Sequence, residues 1–369
     1  MSVSKIPSGM RYYIGPEAHL RRRIEDRVMS VFQGWSYEEI ITPSVDYYSL
    51  FEQGMGHAEA RTAFRFTDND GHLLSLRPDV TSSIARAAAT MLSRASRPLR
   101  FCYASPVFRQ QLQSRAEWRR ENTQLGCELI GNNGSVSDVE ILLVVTEILS
   151  RLELATQSVI TLSHVGIFDG LFDQTGLDQK ARQQILTHLN VMDQSELLKT
   201  LNDLKLSPAD VEATLSLQKL SGDEQVLALA RKTLTNPKSL AALDSLQQVW
   251  TIIKSLGLEN RFAFDFADVS GLEYYTGIIF KIYIEGAGYR VGRGGRYDGL
   301  TSKFGADEPA IGFVLSLDVL TEVLAKQLSD SNNNSNASFS ITNDELCATF
   351  AEAFERRSKQ DQIRIEVRD

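Results

Sequence analysis

The chain has 369 residues, 43% of them hydrophobic, and a formal net charge of -8. That length buries a full core and divides into two units, while the acidic balance excludes the broad Lys/Arg footprint that a phosphate backbone requires. No run approaches the roughly 20 apolar residues that span a bilayer, and the opening MSVSKIPSGMRYYIG has no apolar signal region, so the expectation is a cytoplasmic protein with no membrane contact.

From Gly15-Pro16, the residues Leu20, Ile24, Val28, Val31 and Phe32 recur at helical spacing until Gly34, which predicts a helix packed on a core. Trp35 to Ile41 reads as a strand. FRFTDNDGHLLSLRPD reads as a hairpin with Asp68-Asn69-Asp70-Gly71 as its turn, and a helix over 80–95 follows. Leu99–Tyr103, Val107–Arg109 and Thr123–Gly131 predict strands, the last two separated by a basic loop. Ser137 and Glu140 have the spacing of a capping box before a helix, and Val159–Val165 alternates as a strand. Between 168 and 255 the leucines follow helical periods punctuated by Ser207-Pro208 and Pro237. Strands resume at Phe262–Phe266, Gly277–Glu285 and Tyr289–Arg293, and Pro309–Leu317 begins a buried element. SDSNNNSNASFS, from Ser329, reads as a flexible linker before a short helix over Asp344–Lys359.

In TQLGCELIG a period of two places Gln124, Gly126 and Glu128 on one strand face and Leu125, Cys127 and Leu129 on the other. Glycine between two polar residues leaves room for a ligand against the backbone; a solvated sheet face explains the same pattern. LRPDVTSSIAR sets Asp79 and Thr81 at a helix N-terminus, either to cap it or to grip a ligand ammonium. Arg109, Arg115, Arg119 and Arg120 surround a loop that clamps a carboxylate or phosphate or is simply solvated, and Arg109 alone is placed in a strand. Tyr274 and Tyr275 point to opposite sides of a hairpin arm. Gly294-Gly295-Arg296 lacks the strand, loop and helix of a phosphate-binding loop, and the five histidines show no HExxH spacing. Cys102, Cys127 and Cys347 form no CxxC pair and are expected to be reduced.

These segments, in this order, resemble the class II histidyl-tRNA synthetase catalytic domain over residues 7–325. FQGWSYEEIITPSVD resembles motif 1, which builds the homodimer interface in that family. PVFRQQ with RRENTQLGCELIG resembles motif 2, and GLEYYTG followed by GGRYDGL resembles the histidine-specific signature. The resemblance implies an α+β fold: a class II synthetase-like antiparallel sheet flanked by helices, with an all-helical insertion. The histidine-binding domain would span 1–167 and 256–325, the insertion 168–255, and a low-complexity linker with a short tail 326–369, without an anticodon-binding domain. Asp79, Thr81, Gln124, Glu128 and Tyr275 match positions that hold the ammonium and imidazole of histidine, with Tyr274 adjoining and Arg109 or Gln124 approaching the carboxylate. Asp79 stands where the synthetases use the longer glutamate, which leaves capping or a water-mediated contact open.

The departures from the synthetase pattern concern positive charge. Ser270 stands where the synthetases carry an arginine, Val319 aligns with the motif 3 arginine, Gln111 with the adenine-reading glutamate, and Trp118, beside Arg119, with the loop arginine. Each lost donor of this kind costs about 2.7–4 kcal/mol of transition-state stabilisation, so adenylation is expected to be silent. A histidine pocket beside a dismantled ATP site resembles the ATP phosphoribosyltransferase regulatory subunits, synthetase paralogues of histidine biosynthesis. That family implies a partner, the short-form catalytic ATP phosphoribosyltransferase subunit, L-histidine as effector, and a homodimer within a hetero-oligomer. It implies no catalytic residues, no cofactor, no metal and no nucleic acid. The competing expectation is a truncated synthetase-like ligase that forms histidyl-adenylate.

Overall fold

The structure, a computed structural model, describes residues 5–110, 119–269, 274–329, 337–341, 354–356 and 363–367. The apolar stripe after Gly15-Pro16 forms one helix, Gly15–Gly34, with proline in its first turn and Leu20, Ile24, Val28, Val31 and Phe32 buried. The next core segments are largely buried on both faces. Leu99–Phe108 and Glu121–Ile130 are long antiparallel neighbours in a nine-stranded sheet. In space the sheet runs Glu38–Glu39, Leu99–Phe108, Glu121–Ile130, Ala310–Ser316, Gly292–Arg296, Ile278–Ile284, Ser158–His164, Phe262–Asp265, Ser221–Gly222. Glu38–Glu39 pairs in parallel with Leu99–Phe108, and Ser158–His164 in parallel with Phe262–Asp265, so the expected antiparallel sheet is mixed at these two places.

The two faces are covered differently. Helices Gly15–Gly34, Ser135–Arg151 and Pro237–Ser255 pack in series over one face, where Cys102, Leu125, Cys127 and Leu129 are buried. Cys102 and Cys127, distant in sequence, stand opposite each other across two strands as free thiols. The other face meets helix Thr81–Ala89 through Val80, Ile84, Ala85 and Ala88. Register lines up two rows of residues across it: Phe101, Glu128, Gly312 and Gly295 in one, Tyr103, Gly126, Val314 and Arg293 in the next. Residues two apart on a strand are about 7 Å apart, so a small ligand lying there touches both rows.

Several boundaries differ from the sequence reading. Leu99–Phe108 is one uninterrupted strand. Pro106 does not break it, because beyond Cys102 the outer edge meets Arg77 rather than a strand: Arg77 Nε donates to the Pro106 carbonyl at 2.7 Å and the Phe108 N–H to the Arg77 carbonyl at 2.9 Å. The capping box does not form. Its helix begins at Ser135, and Ser137 is fully buried, donating to the Asn132 carbonyl at 3.2 Å, while Glu140 pairs with Arg100 at 2.8 Å. The helix predicted over 80–95 ends at Ala89, and the return strand is Gly292–Arg296 rather than Tyr289–Arg293. Within 168–255 the chain is helical as expected, with Ser207 capping Pro208–Leu217, except that Ser221–Gly222 adds an edge strand to the main sheet.

The chain divides into two units, Met1–Val323 and Leu324–Asp369. In the second, Ala337–Ile341 pairs in parallel with Ile363–Val367, so the predicted linker gives way to a strand at its end. The helix predicted over 344–359 falls mainly outside the described residues, as does Cys347; Phe354, Glu355 and Arg356 are helical.

Candidate functional site

Glu128 rises from the open sheet face and is 1% exposed. Thr81 Oγ1 donates to its Oε1 at 2.7 Å, the Tyr103 hydroxyl to the same oxygen at 3.3 Å, and the Tyr297 hydroxyl to Oε2. Burial lifts the Glu128 carboxyl to about 7; the hydroxyls of Tyr297 and Thr81 pull it down, and the Asp79 charge pushes it up. Two glycines make the space. A Cβ at Gly312 would collide with Glu128 Oε2, and one at Gly126 would lie 2.6 Å from the Tyr103 hydroxyl. Around them is a small cavity, walled also by Tyr274, Tyr275 and Arg293. Tyr274 stacks on Tyr297 with ring centroids 5.6 Å apart and meets Tyr275 edge-on at 5.0 Å.

Asp79 adjoins this cavity. Its Oδ2 accepts from the Ser82 hydroxyl at 3.2 Å, and its Oδ1 is buried with no hydrogen-bond partner among the described residues. Burial raises the Asp79 carboxyl, opposed by Ser82 and by the charges of Arg109 and Arg293. Thr81, whose hydroxyl is spent on Glu128, does not cap its helix; the residue at the cap position is Val80, with no side-chain bond.

A second, larger space of about 740 Å³ lies beside the first and is lined by Arg109, Arg119, Arg120, Arg290 and Arg293. Arg119 is drawn to Glu322 and lies 3.8 Å from Asp318, which also accepts from Arg21 at 2.9 Å. Arg109 Nε donates to the Pro78 carbonyl at 3.2 Å. The cavity is therefore built to accept N–H groups on buried carboxylates, and the cleft to attract anions.

Of the residues singled out from sequence, Thr81, Glu128, Tyr274 and Tyr275 line the cavity together and Asp79 adjoins it, whereas Arg109 and Gln124 line the cleft. Ser270, Gln111, Arg115 and Trp118 lie outside the described residues. Val319 is 1% exposed in helix Leu317–Ser329. Sequence reasoning missed Tyr103, Tyr297, Gly312 and Arg293. Tyr297 sits inside GGRYDGL, and the alternation of Leu99, Phe101 and Tyr103 marks one strand face, but nothing local says that these rings share a carboxylate.

The family profile described as histidyl-tRNA synthetase matches residues 9–320. An ATP phosphoribosyltransferase regulatory subunit of Halothermothrix orenii is 33% identical over 86% of this chain and 75% of its own length. One of Desulfitobacterium hafniense is 31% identical over 98% of this chain and 91% of its own. Among solved structures, an ATP phosphoribosyltransferase regulatory subunit/histidyl-tRNA synthetase from Bacillus halodurans superposes with a TM-score of 0.88 at 26% identity, covering 100% of this chain and 93% of that one. Histidyl-tRNA synthetase from Nostoc shares the fold, with a TM-score of 0.79 at 19% identity over 100% of this chain and 87% of that one. The chain belongs to the family of ATP phosphoribosyltransferase regulatory subunits, built on the class II fold of histidyl-tRNA synthetases.

Proposed function

We propose that the chain binds L-histidine in the Glu128 cavity and passes that signal, as feedback inhibition, to a short-form catalytic ATP phosphoribosyltransferase subunit which it otherwise activates. The chain itself performs no catalysis; the phosphoribosyl transfer that opens histidine biosynthesis belongs to the partner. In this reading the chain works in the cytoplasm as a homodimer within a hetero-oligomer. The observation that carries the reading is the polarity of the cavity: a buried carboxylate ringed by hydroxyls beside a second carboxylate with one oxygen unpartnered among the described residues.

Glu128 and Tyr275 hold the imidazole, with Tyr274 packed behind, and Asp79 and Thr81 hold the ammonium. Asp79 Oδ1 accepts an ammonium proton, which ends its isolation, and the Thr81 oxygen keeps a lone pair for another. Arg109 and Gln124 line the cleft, from which the Arg109 charge reaches Asp79. Feedback requires histidine to bind two states of the complex unequally, because an indifferent ligand shifts neither. Tyr274 and Tyr275, on the approach to strand Ile278–Ile284, are the wall that closes in one state.

The test reconstitutes the chain with a short catalytic subunit. Transferase activity is expected to rise when the chain is added and to fall with L-histidine, and Glu128→Ala to keep the rise and lose the fall. Inhibition that survives Glu128→Ala overturns the assignment.

One observation favours the ligase alternative: the cleft keeps five arginines. Against it, the position of the motif 3 arginine holds Val319, packed in the core. Histidine-dependent pyrophosphate exchange by the isolated chain decides, since only a ligase exchanges the label.

A further inference from the structure

The assignments above give the imidazole and ammonium of histidine a partner and leave its carboxylate without one. Resting on that reading, we infer that Arg293, rather than Arg109 or Gln124, receives the α-carboxylate and makes the cavity select an imidazole amino acid over an imidazole amine.

Three observations converge on this residue. Among the described residues that wall the small cavity, Arg293 is the one cation; the others are tyrosines, glycines, apolar residues, Thr81 and Glu128. Its position follows from register: Arg293 pairs with Val314, which pairs with Gly126, so it shares the open face with Glu128 one row away, about 7 Å along the strands. It also lines the cleft, and so stands where the cavity opens. Arg109 and Gln124 line only the cleft.

The chemistry requires such a group. Asp79 and Glu128 present two carboxylates to the ligand, which suits its imidazole and ammonium and repels its carboxylate. A zwitterion enters only if a cation offsets that repulsion at the far end, and a guanidinium does so with two parallel N–H bonds. The Arg293 charge bears on both Asp79 and Tyr275, whereas the Arg109 charge bears on Asp79. Arg293 is half-buried within a paired strand, so its backbone is held on both sides by Lys281 and Val314.

Calorimetric titration of the full-length chain with L-histidine and with histamine, which has the same imidazole and ammonium but no carboxylate, tests the assignment. The wild type is expected to prefer L-histidine by at least about tenfold, the worth of one charge-assisted pair. Arg293→Gln is expected to erase that preference by weakening L-histidine while histamine binds as before or slightly tighter, and Arg293→Lys to restore part of it; thermal melts confirm that each variant folds. A preference that survives Arg293→Gln, an equal loss of both ligands, or a preference abolished by Arg109→Gln instead overturns the assignment. A wild type that binds neither ligand overturns the histidine reading itself, which separates that failure from this one.

Discussion

Around Glu128, one carboxylate is 1% exposed, three hydroxyls point at it, and two glycines clear the space it needs. A few residues further along the same strands, five arginines line a larger space, and one of them is drawn off by Glu322 and Asp318. The sign of the charge separates the two regions. An enclosed charge is unscreened and sharply tuned by each neighbour, so that Glu128 titrates near neutrality. The arginines of the larger space offer guanidiniums to carboxylates and phosphates alike.

The largest test of that contrast removes the tuned charge. Glu128→Ala leaves Thr81, Tyr103 and Tyr297 without their common acceptor and, in the proposed reading, the imidazole without its partner. Histidine affinity is expected to fall by at least about 100-fold, with stability lowered by about 2–4 kcal/mol, in calorimetry and thermal melts. Next is pH. The folded state holds the Glu128 proton to about 7, against an ordinary 4.5, so it binds more protons than the unfolded chain across that window. Stability is therefore fullest below pH 4.5 and declines as pH rises to 7, by about 3 kcal/mol from this group. Asp79 and Asp138 shift the same way and Glu140 the opposite way, so the measurement is the difference between wild type and Glu128→Gln, whose profile should be flatter. Histidine affinity should move in the other direction, falling below pH 7 as Glu128 takes the proton that an imidazole N–H would displace.

How much of this was legible follows the range of the signal. Helix Gly15–Gly34 was readable from end to end because its stripe, its proline and its glycine all lie within twenty residues. The polar shelf of Gln124, Gly126 and Glu128 was readable because a strand alternates. Its occupants were not: Tyr103 and Tyr297 reach Glu128 from 25 and 169 positions away. The Ser137 capping box failed on a local detail. Gly134, at φ 85°, holds the cap position, which leaves Ser137 inside the helix and frees Glu140 for Arg100. Arg293 was hidden in a glycine-rich stretch read for backbone approach, since a strand's glycines say where space is left but not which neighbour fills it.

Two milder perturbations sharpen the comparison. Gly312→Ala places a methyl onto Glu128 Oε2 and 2.5 Å from the Cys127 carbonyl, so the carboxylate must move away from its hydroxyls while the backbone cannot yield. Overpacking of this kind costs about 1–3 kcal/mol and should reduce histidine affinity roughly tenfold, with little change in cleft behaviour. The smallest effect concerns Arg293, which lines both regions along with Val314. If Arg293 bridges cavity and cleft, an anion drawn to the arginines competes with the ligand's carboxylate for one guanidinium. Inorganic pyrophosphate should therefore weaken L-histidine binding by about two- to threefold while leaving histamine unaffected, and added salt should abolish the competition as it screens the cleft. Equal weakening of both ligands would mean that pyrophosphate acts through some other change, and the cavity and cleft would then be coupled by the fold rather than by a shared side chain.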